Sequence, residues 1–268
     1  MSLFGNFFKS EDAHVLGVDI GSSAIKIVQL KKKNGQAVLE TYGELALGPY
    51  AGLSVGQAAQ LPTDKIAGAL TDLMKEKEVG VTTKKSGLSI PFSSSLMSVV
   101  EMPDVGPQKL ATMVPLEARK YIPVPIQEVM LDWSVIPKNE ERPETRDLVP
   151  EEGTGFQSSE KSSAGIPKTD VLIVAIHNDT IAKYQDIVTK SALEASFFEI
   201  EIFSTMRAVL DETLKPVLII DMGAASTKLY VIERGIVRTS HTINRGAQDI
   251  TASISKAMGI SIERAEVL

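Results

Sequence analysis

Asp19-Ile20-Gly21-Ser22-Ser23-Ala24-Ile25-Lys26 and Asp221-Met222-Gly223-Ala224-Ala225-Ser226-Thr227-Lys228 carry one pattern, Asp-x-Gly-x-x-x-x-Lys, in two distant parts of the chain. Each copy follows an apolar run, Val15-Leu16-Gly17-Val18 in the first and Val217-Leu218-Ile219-Ile220 in the second. Each also leads into another, Ile27-Val28 or Leu229-Tyr230-Val231-Ile232. Short β-branched and apolar runs broken by a glycine-containing turn read as strand–loop–strand. Used twice, that unit predicts two related halves facing each other, with one tight loop from each side to clamp a phosphate chain.

The loop residues suit that task. Gly21 lets the backbone come close to a ligand, and successive amides of Gly21, Ser22 and Ser23 are expected to point at phosphate oxygens. Ser22 and Ser23 add hydroxyl donors. Lys26 can place a compact positive charge on a β- or γ-phosphate. Gly223, Ala224, Ala225 and Ser226 are expected to form the opposing loop, with Ser226 and Thr227 as further donors. Asp19 and Asp221, at the ends of the entering strands, have the chemistry for Mg²⁺, an ion that keeps several waters, so contact through water is expected. A single loop of this kind reads equally well as a tight turn capped by an aspartate. Its repetition in the same context is what points to a nucleotide. Neither the P-loop nor the Gly-x-Gly-x-x-Gly pattern occurs, which disfavours those nucleotide folds.

Composition narrows the classes. The 268 residues, 43% hydrophobic and 23% charged, describe an ordinary globular chain with room for two halves around a cleft. A net charge of -6 offers no basic nucleic-acid surface, and Lys31-Lys32-Lys33 beside Asn34-Gly35 reads as a solvated hairpin tip. With no cysteine, disulfides and thiol catalysis are excluded. His14, His177 and His241 have no metal-ligand spacing. No apolar run is long enough to span a bilayer, and the first residues do not read as a signal peptide, so a cytoplasmic location is expected.

Periodicity places the remaining elements. Strands are expected at Val15–Asp19, Ile25–Lys31 and Ala37–Leu47, then a helix over Thr63–Glu78 capped by Thr63, with Ile66, Leu70, Leu73 and Met74 as its apolar stripe. Residues 87–91 and 94–102 read as strands, 108–120 as a helix and 129–136 as a strand. The stretch 138–168, rich in Pro, Gly, Ser and charge, reads as a mobile loop. A strand over 169–176 precedes a helix capped by Asp179, with the stripe Ile181, Tyr184, Ile187 and Val188. A strand near 197–201 and a helix to about 212 lead to the second repeat. A helix after Gly246 and the start of another at Ser261 follow it, and the chain is expected to be incomplete at Leu268.

With those elements in place, the loops resemble phosphate loops 1 and 2 of the actin and sugar-kinase fold. Further stretches narrow the resemblance: Ser89-Ile90-Pro91, Glu117-Ala118-Arg119-Lys120-Tyr121-Ile122-Pro123, Glu128-Val129-Met130-Leu131-Asp132-Trp133, and Glu199-Ile200-Glu201 through Arg207. Together they resemble the PilM family of type IV pilus assembly proteins, relatives of the cell-division protein FtsA. The resemblance implies an α/β, actin-like (ribonuclease H-like) fold, with two mixed-sheet halves around a nucleotide cleft and an inserted 1C subdomain. It divides the chain into a tail at 1–13, subdomain 1A at 14–86 and 195–212, and subdomain 1C at 87–194. Subdomain 2A would start at 216–268, its remainder and 2B lying beyond Leu268. Gly246 matches the start of a family glycine motif and so joins the expected cofactor contacts, although Arg245 stands where a second glycine is often found.

The resemblance also implies ATP and Mg²⁺ as cofactors and a place at the inner face of the inner membrane, reached through partners. The principal partner is the N-terminal cytoplasmic peptide of a PilN-like inner-membrane protein, held in a groove between 1A and 1C, with residues 99–102 and 113–125 as candidate walls. Pilus motor ATPases are a further expected partner, and nucleic acid is not expected. Beside this scaffold reading stand two others: an FtsA-like filament-forming or membrane-linking homologue, and an ATPase or kinase of the same fold. Phosphoryl transfer needs a group that orients or deprotonates the nucleophile, and Glu201 and Asp221 are the candidates for it.

Overall fold

The structure, a computed structural model, describes residues 14–136, 167–210 and 215–268. The expected tail at 1–13 and nearly all of the expected loop at 138–168 lie outside the described residues.

Strands β1 (His14–Ile20), β2 (Ala24–Lys33) and β3 (Gln36–Ala46) form an antiparallel meander, with Asp19 opposite Lys26 across the first hairpin. Asn34 and Gly35, at φ 53° and 80°, supply the two left-handed residues that a tight hairpin turn needs. Helix α1 (Thr63–Lys75) precedes β4 (Lys85–Ile90), which runs parallel to β1. The chain then forms β5 (Ser95–Pro103), α2 (Pro107–Ala118), β6 (Val129–Val135) and β7 (Lys168–His177). Helix α3 (Asn178–Lys190) leads to β8 (Glu194–Ile200), parallel to β4, and to α4 (Glu201–Val209). The first sheet has the order β3-β2-β1-β4-β8.

Period-two alternation puts Leu16, Val18, Ile20, Ile25 and Ile27 on one face of that sheet. There they are buried against Ile66, Leu70 and Leu73 of α1 and Ile181, Tyr184 and Ile187 of α3. Fully burying each such side chain is worth about 1.5–3 kcal/mol. Neither helix is capped as expected. Pro62 and His177 occupy the N-cap positions, one residue before Thr63 and two before Asp179, and no side-chain cap bond forms at either. The Pro62 carbonyl instead accepts the amides of Lys65 and Ile66.

The second repeat builds its own antiparallel sheet, β11-β10-β9, from β9 (Val217–Met222), β10 (Thr227–Glu233) and β11 (Ile236–Ile243). Helices α5 (Ala247–Met258) and α6 (Ile262–Glu266) follow. Residues 54–58 of the first half touch these helices: Ser54 Oγ donates to Glu263 at 2.5 Å, and the Ala58 amide to Gln248 at 3.1 Å.

The chain divides into two compact units, the described residues within Met1–Ser95 and Ile176–Leu268 in one and those within Leu96–Ala175 in the other. The second unit has a three-stranded sheet, β5-β7-β6, and its own core around Val100, Leu110, Val114, Val171 and Ile173. The span 87–194, expected as one inserted subdomain, includes elements of both units. Strand β4 is hydrogen-bonded between β1 and β8, and α3 packs on α1, so both ends of that span belong to the first unit. Among the described residues no helix is long and apolar enough to cross a membrane.

Candidate functional site

The two repeats form the same hairpin. The amide of Gly21 donates to the Ala24 carbonyl at 2.9 Å, and that of Gly223 to the Ser226 carbonyl at 3.0 Å. Both glycine amides are therefore spent inside their loops, which corrects the expectation that Gly21 offers its N–H to phosphate. The next carbonyls are held from outside. Ser22 O and Ser23 O accept the amides of Ala59 and Leu47, both at 2.8 Å, while Gly223 O and Ala224 O accept those of Ala247 and Gln248 at 2.9 and 3.1 Å. Among the described residues, no bond takes up the amides of Ser22, Ser23, Ala224 or Ala225.

Both loops line one cavity of about 830 Å³, within the usual range for a small-molecule site. Its wall contains Asp19, Gly21, Ser22, Ser23 and Lys26 from the first repeat, Asp221, Gly223, Ala224, Ala225 and Ser226 from the second, and Glu201 from the start of α4. An adjoining cavity of about 410 Å³ shares Asp19, Lys26, Glu201 and Asp221 with it.

Two expected residues point elsewhere. Thr227 is buried and donates its hydroxyl to the Arg245 carbonyl at 2.9 Å. Gly246 stands behind the second loop, and both it and Thr227 line a separate cavity beside Ile243 and Ile250. Gly246 has a steric role, since a Cβ there would lie 2.3 Å from Gly223 O and 2.4 Å from Ala224 O. Helix α5 can press its first amides onto the loop only because that Cβ is absent.

The charges are arranged unequally. Lys26 is exposed, and its Nζ lies 3.9 Å from Glu44, a loose contact. Its counterpart Lys228 is largely buried, paired with Glu201 Oε1 and 3.5 Å from Asp221 Oδ2. Glu201 Oε1 also accepts the Phe92 amide at 2.8 Å. Asp19 accepts a hydrogen bond from Ser89 Oγ. Tyr230, under this group and edge-on to Phe92 at 5.2 Å, has a buried hydroxyl with no partner among the described residues. Burial first, then the Glu201 and Asp221 charges, push that hydroxyl well above the ordinary tyrosine range. Burial, then Asp19 and Glu201, do the same to Tyr184 in the cavity wall. Among the described residues no three acidic or histidine side chains come together to hold a metal directly. The donor set therefore suits an ion that keeps its waters rather than a dehydrated one.

Lys228 is the residue that the motif contained and the sequence-based site omitted; its position opposite Asp221 repeats that of Lys26 opposite Asp19. Ser89, quoted only within a stretch of the family resemblance, and the Phe92 amide were not read as site residues; the parallel β1–β4 pairing sets Ser89 opposite Asp19.

A family profile described as "Type IV pilus assembly protein PilM" matches residues 17–150 and 154–268. A chain of a solved PilM-PilN type IV pilus biogenesis complex superposes with a TM-score of 0.69 at 20% identity, covering 94% of this chain and 68% of that one. The ethanolamine utilization protein EutJ from Carboxydothermus hydrogenoformans superposes at 0.50 with 13% identity, covering 98% of this chain and 62% of that one. The fold is thus the α/β, actin-like one.

Proposed function

The chain belongs to the type IV pilus assembly protein PilM family, and on that premise we propose that it is an ATP-binding scaffold that holds the N-terminal peptide of a PilN-like inner-membrane protein on the cytoplasmic side. One observation carries the nucleotide half of this reading: two hairpins of the same sequence pattern line a single cavity, with uncommitted amides on both. Amides in such a nest, two serine hydroxyls and the exposed Lys26 match the oxygens of a phosphate chain. Asp19 and Asp221 would hold the waters of the Mg²⁺ that accompanies the phosphates and supplies their charge neutralisation. The PilN half rests on the family and on the likeness to a chain of a PilM-PilN complex.

We read the site as one for binding rather than turnover. A general base needs a free acceptor oxygen facing the attacking water; Lys228 and the Phe92 amide hold Glu201 Oε1, which leaves Oε2 alone for that task.

Thermal unfolding with Mg-ATP tests the nucleotide reading. At a hundred times Kd the ligand stabilises by about 2.7 kcal/mol, a rise of roughly 5–11 °C for a chain of this size. Lys26→Ala and Ala225→Glu alter only the cavity wall and should reduce that rise. No rise in the unaltered protein at millimolar Mg-ATP, or an equal rise in both variants, would sink the reading. Fluorescence anisotropy with a PilN-type N-terminal peptide tests the partner; equal binding of a scrambled peptide would exclude it.

A further inference from the structure

The two repeats are alike in sequence and unlike in what their lysines do. Lys26 is 61% exposed along its side chain, whereas Lys228 is 13% exposed and lies against two carboxylates. The difference follows from the neighbours. In the second repeat, α4 begins at Glu201, and the Phe92 amide fixes its carboxylate where Lys228 can reach it. In the first repeat, Asp19 accepts from the Ser89 hydroxyl, and Lys26 lies 3.9 Å from the exposed Glu44.

We propose that Lys228 is a built-in cation that neutralises Glu201 and Asp221 and so keeps a divalent ion out of the cleft until a polyphosphate brings one with it. Two partly buried carboxylates held about one ammonium and lining the cavity would otherwise attract a divalent cation from solution. An ammonium held between them offsets that field and occupies lone pairs that the ion's waters would use. Metal then reaches this cleft only with phosphate oxygens as additional ligands, so that Asp221 meets an ion already carried by the nucleotide. The inference rests on the nucleotide reading for its biological meaning, but its test needs no nucleotide.

The test is Mn²⁺ titration of the protein without nucleotide, followed by electron paramagnetic resonance of the free ion, on the unaltered chain, Lys228→Met, Lys228→Arg and Lys228→Met/Glu201→Gln. The expected result is no stoichiometric site in the unaltered chain or in Lys228→Arg. Lys228→Met should gain one site, at least about tenfold tighter than any binding before it, since an adjacent positive charge is gone. The double variant should lose that site again. Circular dichroism melts establish that each variant is folded, and Lys228→Arg reports on the charge should the methionine variant prove unstable. A stoichiometric Mn²⁺ site in the unaltered chain overturns the inference, as does a folded Lys228→Met that gains none. Failure of Mg-ATP to raise the melting temperature would overturn the nucleotide reading alone, leaving the Mn²⁺ outcome to judge Lys228.

Discussion

Gly246→Ala is the substitution for which the structure gives the most explicit consequence. The backbone at 246 is extended, at φ -142°, a conformation open to any residue, so the cost is not conformational. It lies in the added methyl, whose carbon would sit 2.3 Å from Gly223 O and 2.4 Å from Ala224 O. Ordinary contact requires a retreat of roughly 1 Å. The same two oxygens accept the amides of Ala247 and Gln248 at 2.9 and 3.1 Å, and that retreat carries both bonds beyond useful length. Two such bonds are worth about 1–3 kcal/mol net, a fall in melting temperature of roughly 2–12 °C. Because the loop that moves also lines the cavity, Mg-ATP affinity should fall by about tenfold or more. Gly259→Ala is the control. It has φ 63° and nothing within 4 Å of its Cβ, so it costs about 1–2 kcal/mol of left-handed strain and leaves nucleotide affinity intact. Calorimetry and a nucleotide titration on both variants decide the matter. If Gly246→Ala melts within about 1 °C of the unaltered protein, or keeps its full affinity, the packing of α5 on the loop does not matter as argued.

Tyr230→Phe should leave stability unchanged or raise it by up to about 1 kcal/mol, because it removes a buried hydroxyl that has no partner among the described residues and keeps the edge-on contact with Phe92; a clear loss in a denaturant melt would show a bonded hydroxyl. Hydrogen bonds from Gln29, then His14 and Lys31, hold the Glu40 carboxyl at about 2, well below its ordinary 4.5. A depressed folded-state value stabilises above the unfolded value and is lost as pH falls between about 4.5 and 2. Urea melts across that range should therefore decline more steeply for the unaltered protein than for Glu40→Gln; parallel curves would contradict the assignment.

The elements were legible because they are written in short-range patterns. The Asn34-Gly35 turn, the alternation along β1 and β2, and the stripe Ile181, Tyr184, Ile187, Val188 are each decided within a few residues. What escaped depends on pairings between distant segments. Nothing local says that β4 slots between β1 and β8, whose pairing joins it to the first sheet while the second compact unit starts at Leu96. The site divides along the same line. The loops declare themselves through repetition, but the rotation of Thr227 toward Arg245 O and the closure of Gly21 N–H onto Ala24 O depend on three-dimensional neighbours. Lys228 was visible in the motif, and its distinct environment was not, since Glu201 arrives from another element.

The outside hold on the loop carbonyls has an electronic consequence. A peptide group is one conjugated unit, so a proton donated to its oxygen draws density off its own nitrogen and sharpens the N–H as a donor. The groups whose oxygens are gripped by Ala59, Ala247 and Gln248 are those whose nitrogens belong to Ser23, Ala224 and Ala225. Each of these three amides is pre-polarised by the scaffold behind it. On the second loop the two donors are the leading N–H groups of α5, so the positive pole of that helix is transmitted through one peptide plane to a place it does not itself touch. The end of α5 thus acts on the loop by induction, and the glycine at 246 sets how closely that coupling is made.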